Sequence, residues 1–388
     1  MRFSKRIENL APYLFVNINQ KIASKRQRGE TIINFGAGDP DLPTPGPLVA
    51  ELCRAAIDPA NHRYPETAGI PELRQAIAEW YQRRFAVCLD PDTEVVPLIG
   101  AKEGIFHIAF CLIDEGDIAL VPDPGYPVYS TGTILAGGQN YFMALNDRNG
   151  YLPELEKVPQ QIVNRSRVIW LNYPNNPTGA VAGLEYFERA VEFARRNDII
   201  VCHDAPYTEV AYDGYQPVSF LQAGSARDIG IEFHSFSKTY NMAGWRIGMA
   251  VGNARIINAL KRFKSNVDSG IPRAIQLMGA RAMAQPLESK FERNLIYQQR
   301  RDKLVAVLNY IGLTAHSPRA GLYVWARCPA GWRSTDFAAE LLERAGVVVT
   351  PGIGYGPGGD DHVRFSLTLA DEDLEKGLER LKIWHKTR

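Results

Sequence analysis

The chain has 388 residues, 45% of them hydrophobic and 22% charged, with 44 Lys and Arg against 43 Asp and Glu. This is ordinary globular composition, long enough for one large α/β unit with a smaller one appended, or for two or three domains. A net charge of +1 gives nucleic acid or an anionic membrane no electrostatic hold on the chain, and no apolar run reaches the roughly 18 residues of a membrane span.

The first residues, Met1-Arg2-Phe3-Ser4-Lys5-Arg6, are basic with no apolar stretch after them, so no secretory signal is expected. Cys53, Cys88, Cys111, Cys202 and Cys328 are scattered, odd in number and free of C-x-x-C pairs. That spacing favours a reducing compartment, the cytoplasm, over a disulfide scaffold or zinc site. The seven histidines show no H-x-x-x-H or H-x-H spacing, so no metal centre is expected.

Gly100 opens a helix predicted from Ala101 to Ile113, and Ile118 to Val121 reads as a buried strand ending at Pro122-Asp123-Pro124-Gly125, just before Tyr126. A strand from Arg167 to Asn172 runs into the turn Asn172-Tyr173-Pro174-Asn175-Asn176-Pro177-Thr178-Gly179. Leu184, Phe187, Ala190, Val191 and Ala194 mark one face of a helix from Leu184 to Arg196. Asp198 to His203 and Glu232 to Ser235 read as further strands, the first closed by Asp204 with Tyr207 three residues on. Such alternation predicts an α/β fold, a mostly parallel sheet between helices, with ligands gathered at the carboxyl ends of the strands. The C-terminal part adds strands at Gly321 to Trp325 and His362 to Leu369, and a last helix faced by Leu374, Leu378, Leu381 and Trp384. A large domain is expected over residues 46–285, and a smaller α/β domain from 1–45 and 286–388.

The stretch from His234 to Gly248 carries the most chemistry. Ser235 and Ser237 frame Lys238, and Arg246 follows eight residues on. An amine beside such donors suits a cofactor with an aldehyde and a phosphate, pyridoxal 5′-phosphate (PLP). Lys238 condenses with the aldehyde, and Ser235, Ser237 and Arg246 cup the phosphate. An isolated S-x-S-K is more often a loop facing water; Arg246 and the upstream residues carry the reading. Asp204, a carboxylate ending a buried strand, needs a cationic or donor partner. A pyridinium nitrogen supplies one and makes the ring an electron sink; a helix N-cap is the plainer alternative. Asn176 and Tyr207 would both face the phenolic oxygen. The N–H groups of Ala101 and Lys102 would hold one side of the phosphate. Tyr126 would stack on the ring or simply pack its loop, and Arg364 is suited to clamp a carboxylate.

Asn176-Pro177-Thr178-Gly179, Asp204-x-x-Tyr207, the S-x-S-K-x-x-x-x-x-G-x-R block from Ser235 to Arg246 and Val363-Arg364-Phe365-Ser366 occur in the order and at the intervals of a known family. The chain resembles the class I/II aminotransferases of PLP fold type I over essentially its whole length. The resemblance implies that Lys238 bonds the cofactor and moves the proton of the 1,3-shift, with the other residues in the roles above and Arg364 on the substrate α-carboxylate. It implies small amino-acid and 2-oxo-acid substrates. Tyr64, in His62-Arg63-Tyr64-Pro65-Glu66, matches a family tyrosine that reaches the phosphate of a neighbouring subunit, which implies a homodimer with shared active sites.

Within the family, Ala11-Pro12-Tyr13-Leu14-Phe15, Phe35 to Asp41, Ile99 to Gly104 and Ser237 to Met242 resemble the LL-diaminopimelate aminotransferases. This implies substrate-side roles for Tyr13, Gly38, Lys102, Tyr126 and Asn176, and matches Asn266 to a partner-subunit asparagine that reaches the ligand. The expected reaction exchanges an amino group with the 2-oxoglutarate/glutamate pair in lysine biosynthesis. N-succinyl-diaminopimelate, alanine and aromatic aminotransferases are the similar alternatives, with a β-lyase or decarboxylase on the same scaffold. A PLP-sensing transcription regulator would need an N-terminal DNA-binding module, whereas the constellation here starts within the first few dozen residues.

Overall fold

The computed structural model describes residues 1–8, 10, 14–284 and 289–387. Its centre is a seven-stranded sheet. We number the strands β1 (Val95–Leu98), β2 (Ile118–Asp123), β3 (Gln139–Ala144), β4 (Ser166–Asn172), β5 (Ile200–Asp204), β6 (Gly230–Ser235) and β7 (Gly248–Gly252). Their spatial order is β1-β7-β6-β5-β4-β2-β3. Pairs from β3 through β6 are parallel, and β7 is antiparallel to both β6 and β1. The mostly parallel sheet expected from the alternation is present, and its interior strands are apolar because helices cover both faces.

The helix Leu184–Arg196 runs as predicted and buries Tyr186, Phe187, Ala190, Val191 and Ala194 against the sheet. On another side, Ile105 and Ile108 of helix Ala101–Leu112 join Trp170, Phe233 and Ala250 in a second cluster. A four-stranded sheet forms from Thr314–Ala315, Tyr323–Arg327, Thr350–Pro351 and His362–Ser366. The last of these stops three residues short of the predicted Leu369. Its core includes Leu374, Leu378, Leu381 and Trp384 of the final helix Asp371–Lys386, the predicted apolar face. Asp371, Glu372 and Asp373 fill that helix's first turn, where negative charge complements the dipole. Ile33–Asn34 pairs in parallel with Val347–Val348, and Ile33 and Phe35 share this core.

Strand register decides what reaches the carboxyl edge. Asn172 stands opposite Asp204, and Asp204 opposite Phe233, so β4 and β5 end level while β6 runs two residues further, to Ser235. One residue earlier His203 stands opposite Glu232. The buried Glu232 carboxylate accepts from Tyr81 Oη, Ser219 Oγ and the Phe220 N–H, each at 2.8 Å, and meets His203 Nδ1 at the same distance. A buried carboxylate so surrounded is satisfied. Among the described residues no helix is long and apolar enough to cross a membrane.

Candidate active site

Side chains from the ends of β4, β5 and β6 meet the second body around a cavity of about 370 Å³. Its lining includes Gly38, Ala101, Lys102, Tyr126, Asn176, Asp204, Tyr207, Ser235, Ser237, Lys238, Arg246 and Arg364, so the fold gathers nearly every residue singled out in the sequence. Tyr13 lies outside the described residues. Tyr64 is 90% exposed and Asn266 is exposed, with its Nδ2 donating to Arg262 O at 2.8 Å; neither lines the cavity of its own chain.

Asp204 is 4% exposed. One carboxylate oxygen accepts from Tyr129 Oη at 2.6 Å, while the other, Oδ1, is buried with no hydrogen-bond partner among the described residues. Burial pushes its carboxyl up to about 6, with Tyr129 and the nearby His203 pulling the other way. Tyr129 is fixed by stacking on Trp170, centroids 4.6 Å apart. A buried, half-satisfied carboxylate at the floor of a polar cavity is costly, and a cationic N–H donor arriving there would remove the cost.

Lys238 sits in a single helical turn, Phe236–Thr239, that follows β6 without a break. Its Nζ donates to Gly38 O at 2.8 Å. Burial holds its ammonium below the usual lysine range; Tyr323 and Asp39 oppose this, while Arg364 and Arg246 add to it. A lysine so placed gives up its proton more readily than one in water.

The phosphate end is built by backbone geometry. Gly100 has φ +76° at the start of helix Ala101–Leu112, and a Cβ there would lie 2.5 Å from Arg246 Nη2. Only glycine lets the guanidinium lie against the helix N-terminus. Arg246 itself has φ +52° and is anchored through Nη1 to Ala243 O at 2.9 Å. Ala101, Lys102, Ser235, Ser237 and Arg246 line one end of the same cavity, offering N–H groups, hydroxyls and a guanidinium suited to an anion.

Arg364, 3% exposed, donates through Nη1 to Asn176 Oδ1 at 2.9 Å and through Nη2 to Gly36 O at 3.1 Å. That bond commits the Asn176 oxygen and leaves its NH₂ as the group able to donate into the cavity. The guanidinium carbon lies 3.9 Å from the centroid of Tyr323 and 5.0 Å from that of Tyr355. Tyr207 and Tyr323 share a hydrogen bond of 3.0 Å. Burial drives the Tyr207 phenol well above its ordinary range. Burial also opposes ionisation of Tyr323, but Arg364 and Lys238 outweigh it and lower that phenol. Lys102 is lowered by burial and by Arg246.

Sequence reasoning missed Tyr129, Tyr323, Tyr355 and Asp39. Tyr129 had a signal in its place three residues past Tyr126, in the first turn of the helix Val128–Ala136. Asp39 and Tyr323 act on Lys238 across 199 and 85 residues of chain, juxtapositions that no local pattern encodes, and Tyr355 reaches the site only through its place beside Arg364. Glu103, His107 and Asp268 also converge, but two of them are already bonded by the buried Lys264 ammonium, at 2.8 Å to Glu103 and 3.0 Å to Asp268.

Comparison with known proteins identifies what the chain is similar to. The family model described as "Aminotransferase class I and II" matches residues 30–381. A protein of Dehalococcoides mccartyi named LL-diaminopimelate aminotransferase is 59% identical over 381 residues, 98% of each chain. One of the same name from Moorella thermoacetica is 52% identical over 98% of each chain. Among solved structures, substrate-bound BacF from Bacillus subtilis superposes with a TM-score of 0.95 at 38% identity, covering 99% of this chain and 98% of that one. A probable N-succinyldiaminopimelate aminotransferase of Thermus thermophilus gives 0.90 at 34% identity, over 97% of this chain and all of that one.

Proposed function

The chain belongs to the class I and II aminotransferases, a PLP-dependent family, and we propose that it is an LL-diaminopimelate aminotransferase that exchanges the amino group with 2-oxoglutarate. The observation that carries the substrate is 59% identity over nearly the full length of both chains to a protein of that name. Against it, the relative named for N-succinyl-diaminopimelate stands at 34%.

The residues present fit PLP. The orphaned Asp204 Oδ1 awaits a donor at the ring nitrogen, and the cradle that a Cβ at Gly100 would fill suits the phosphate. Tyr207 and the NH₂ of Asn176 are the donors for the phenolic oxygen, and Tyr126 offers a ring face. When bound, PLP supplies an aldehyde for the substrate amine and a ring that accepts electrons from Cα. Arg364 binds the α-carboxylate, and its bonds to Asn176 and Gly36 fix the orientation in which Cα–H faces Lys238. Lys238, its ammonium destabilised by burial, would be the base that takes the substrate Cα proton and the acid that later gives it back. The carbonyl of Gly38 accepts from the Lys238 amine and so limits where it can point.

On the same reading, residues 46–285 are the cofactor-binding unit, and 1–45 with 286–388 form the body that brings Arg364 and Tyr323 to it. Tyr64 is 90% exposed, and two residues on, the carbonyl of Glu66 lies 3.1 Å from where a Cβ at Gly270 would stand. An exposed tyrosine at this position supports a homodimer in which Tyr64 reaches the partner's phosphate site, as the family resemblance implies. The protein would act in the cytoplasm.

A donor panel with 2-oxoglutarate tests the substrate. It comprises LL- and meso-diaminopimelate, N-succinyl-diaminopimelate, alanine, glutamate and aromatic amino acids. Turnover confined to the LL isomer is expected. Preference for the succinylated or aromatic donor would overturn the assignment, and release of pyruvate and ammonia would signal a β-lyase.

A further inference from the structure

The short helix that carries Lys238 ends in carbonyls with no partner inside the helix, the usual condition of a helix C-terminus. They are met by one side chain from far along the chain. Arg293, in the helix Ser289–Tyr310, is 4% exposed and is not part of the cavity wall. Its Nη1 donates to Lys238 O at 3.1 Å and to Thr239 O, and its Nη2 donates to Glu209 O. Asn294 doubles the second attachment, with Nδ2 donating to Glu209 O at 3.1 Å and to Ala211 O at 3.2 Å. Glu209 lies two residues past Tyr207, in the turn that follows β5. One planar guanidinium therefore ties the backbone of the reacting lysine to the backbone beside the phenol-bearing tyrosine. Neither segment is joined to the other by a strand pair at this point, since the β5–β6 register ends at Asp204 and Phe233.

We propose that Arg293 is a positioning residue for transamination, holding the Lys238 main chain at a fixed separation from Tyr207 so that the amine, the phenol and the α-carboxylate clamp stay in register. The inference rests on Lys238 being the reacting amine. Its chemistry is specific to arginine, because three carbonyls in different directions need the spread of a guanidinium fork, and a lysine ammonium on its flexible stem cannot span them. The positive charge at the end of the lysine-bearing turn also complements the partial negative charge of its carbonyls.

The test uses full-length Arg293→Lys and Arg293→Gln, loaded with PLP and also cofactor-free. A folded variant is expected to lose at least tenfold in kcat with the donor KM within about threefold. The pH midpoint of the visible band of the lysine-bound cofactor should move by half a unit or more. In the cofactor-free protein, acylation of Lys238 relative to Lys102, read by mass spectrometry, should change at least threefold. Folded variants that match the parent in the midpoint and in Lys238 labelling overturn the proposal. So does failure of both variants to fold, since Arg293 would then be a structural pin. If the parent itself forms no bond to the cofactor at Lys238, the underlying reading fails instead, and that result is distinct.

Discussion

Replacing Asp204 with asparagine should make the cofactor-free chain more stable and the cofactor harder to hold. The carboxyl is buried and pushed up to about 6 from an ordinary 3.8. Because the folded-state value is raised, its contribution to stability is complete below 3.8 and is lost as pH rises through about 6. Above that window the fold carries an ionised, half-satisfied carboxylate at a cost of about 3 kcal/mol. Asparagine keeps the acceptor for Tyr129 but leaves an amide N–H₂ unpaired, which returns about 1–2 kcal/mol of that gain. The net at pH 8 is a stabilisation of about 1–2 kcal/mol, a rise in Tm of about 2 °C for a chain of this length. Between pH 8 and pH 5 the advantage should shrink by about 1.4 kcal/mol, the tenfold change set by one pH unit below the titration. Urea unfolding of both cofactor-free proteins at pH 5, 6, 7 and 8 measures it, and absorbance titration should show PLP affinity at least tenfold weaker. A difference that stays flat across this range refutes the reasoning, because it would mean that Asp204 does not titrate there.

Tyr129→Phe removes the one side-chain donor described on Asp204 and should weaken PLP binding about tenfold; unchanged affinity in the same titration would contradict this. Gly100→Ala places a methyl 2.5 Å from Arg246 Nη2 at φ +76° and should raise the PLP dissociation constant well before it alters kcat at saturating cofactor, which steady-state assays at graded PLP would show. Arg364→Lys trades a fork bound to Asn176 and Gly36 for a point charge, so kcat/KM for the donor should fall by about 10²-fold or more. A loss equally large for donors lacking an α-carboxylate would count against the clamp.

The site was legible in the sequence wherever chemistry sits at a strand end. Asp204 closes a run of buried apolar residues, Lys238 follows another, and Asn176 lies in a proline turn, so local pattern alone placed them at one edge of a sheet. The edge strands were not legible. β3 alternates poorly because most of it is exposed or half-buried, and β1 is four residues with a proline inside. β7 was hidden behind the glycines that let it pack against β6: a Cβ at Gly252 would lie 2.5 Å from Gly230 O. Arg293 escaped for a different reason. It sits in a strongly charged helix that reads as a solvated surface, yet Arg293, Arg300 and Arg301 are all buried and bound to carboxylates or carbonyls. Charge in a sequence marks polarity; whether it is paired inside is settled only by tertiary contact.

The covalent attachment of PLP to Lys238 is the claim on which the rest depends. Borohydride reduction of the PLP-incubated protein, followed by peptide mapping, should find the cofactor mass on the single peptide containing Lys238 and nowhere else in quantity. Recovery of that peptide unmodified, or the label on Lys102 instead, would contradict the account.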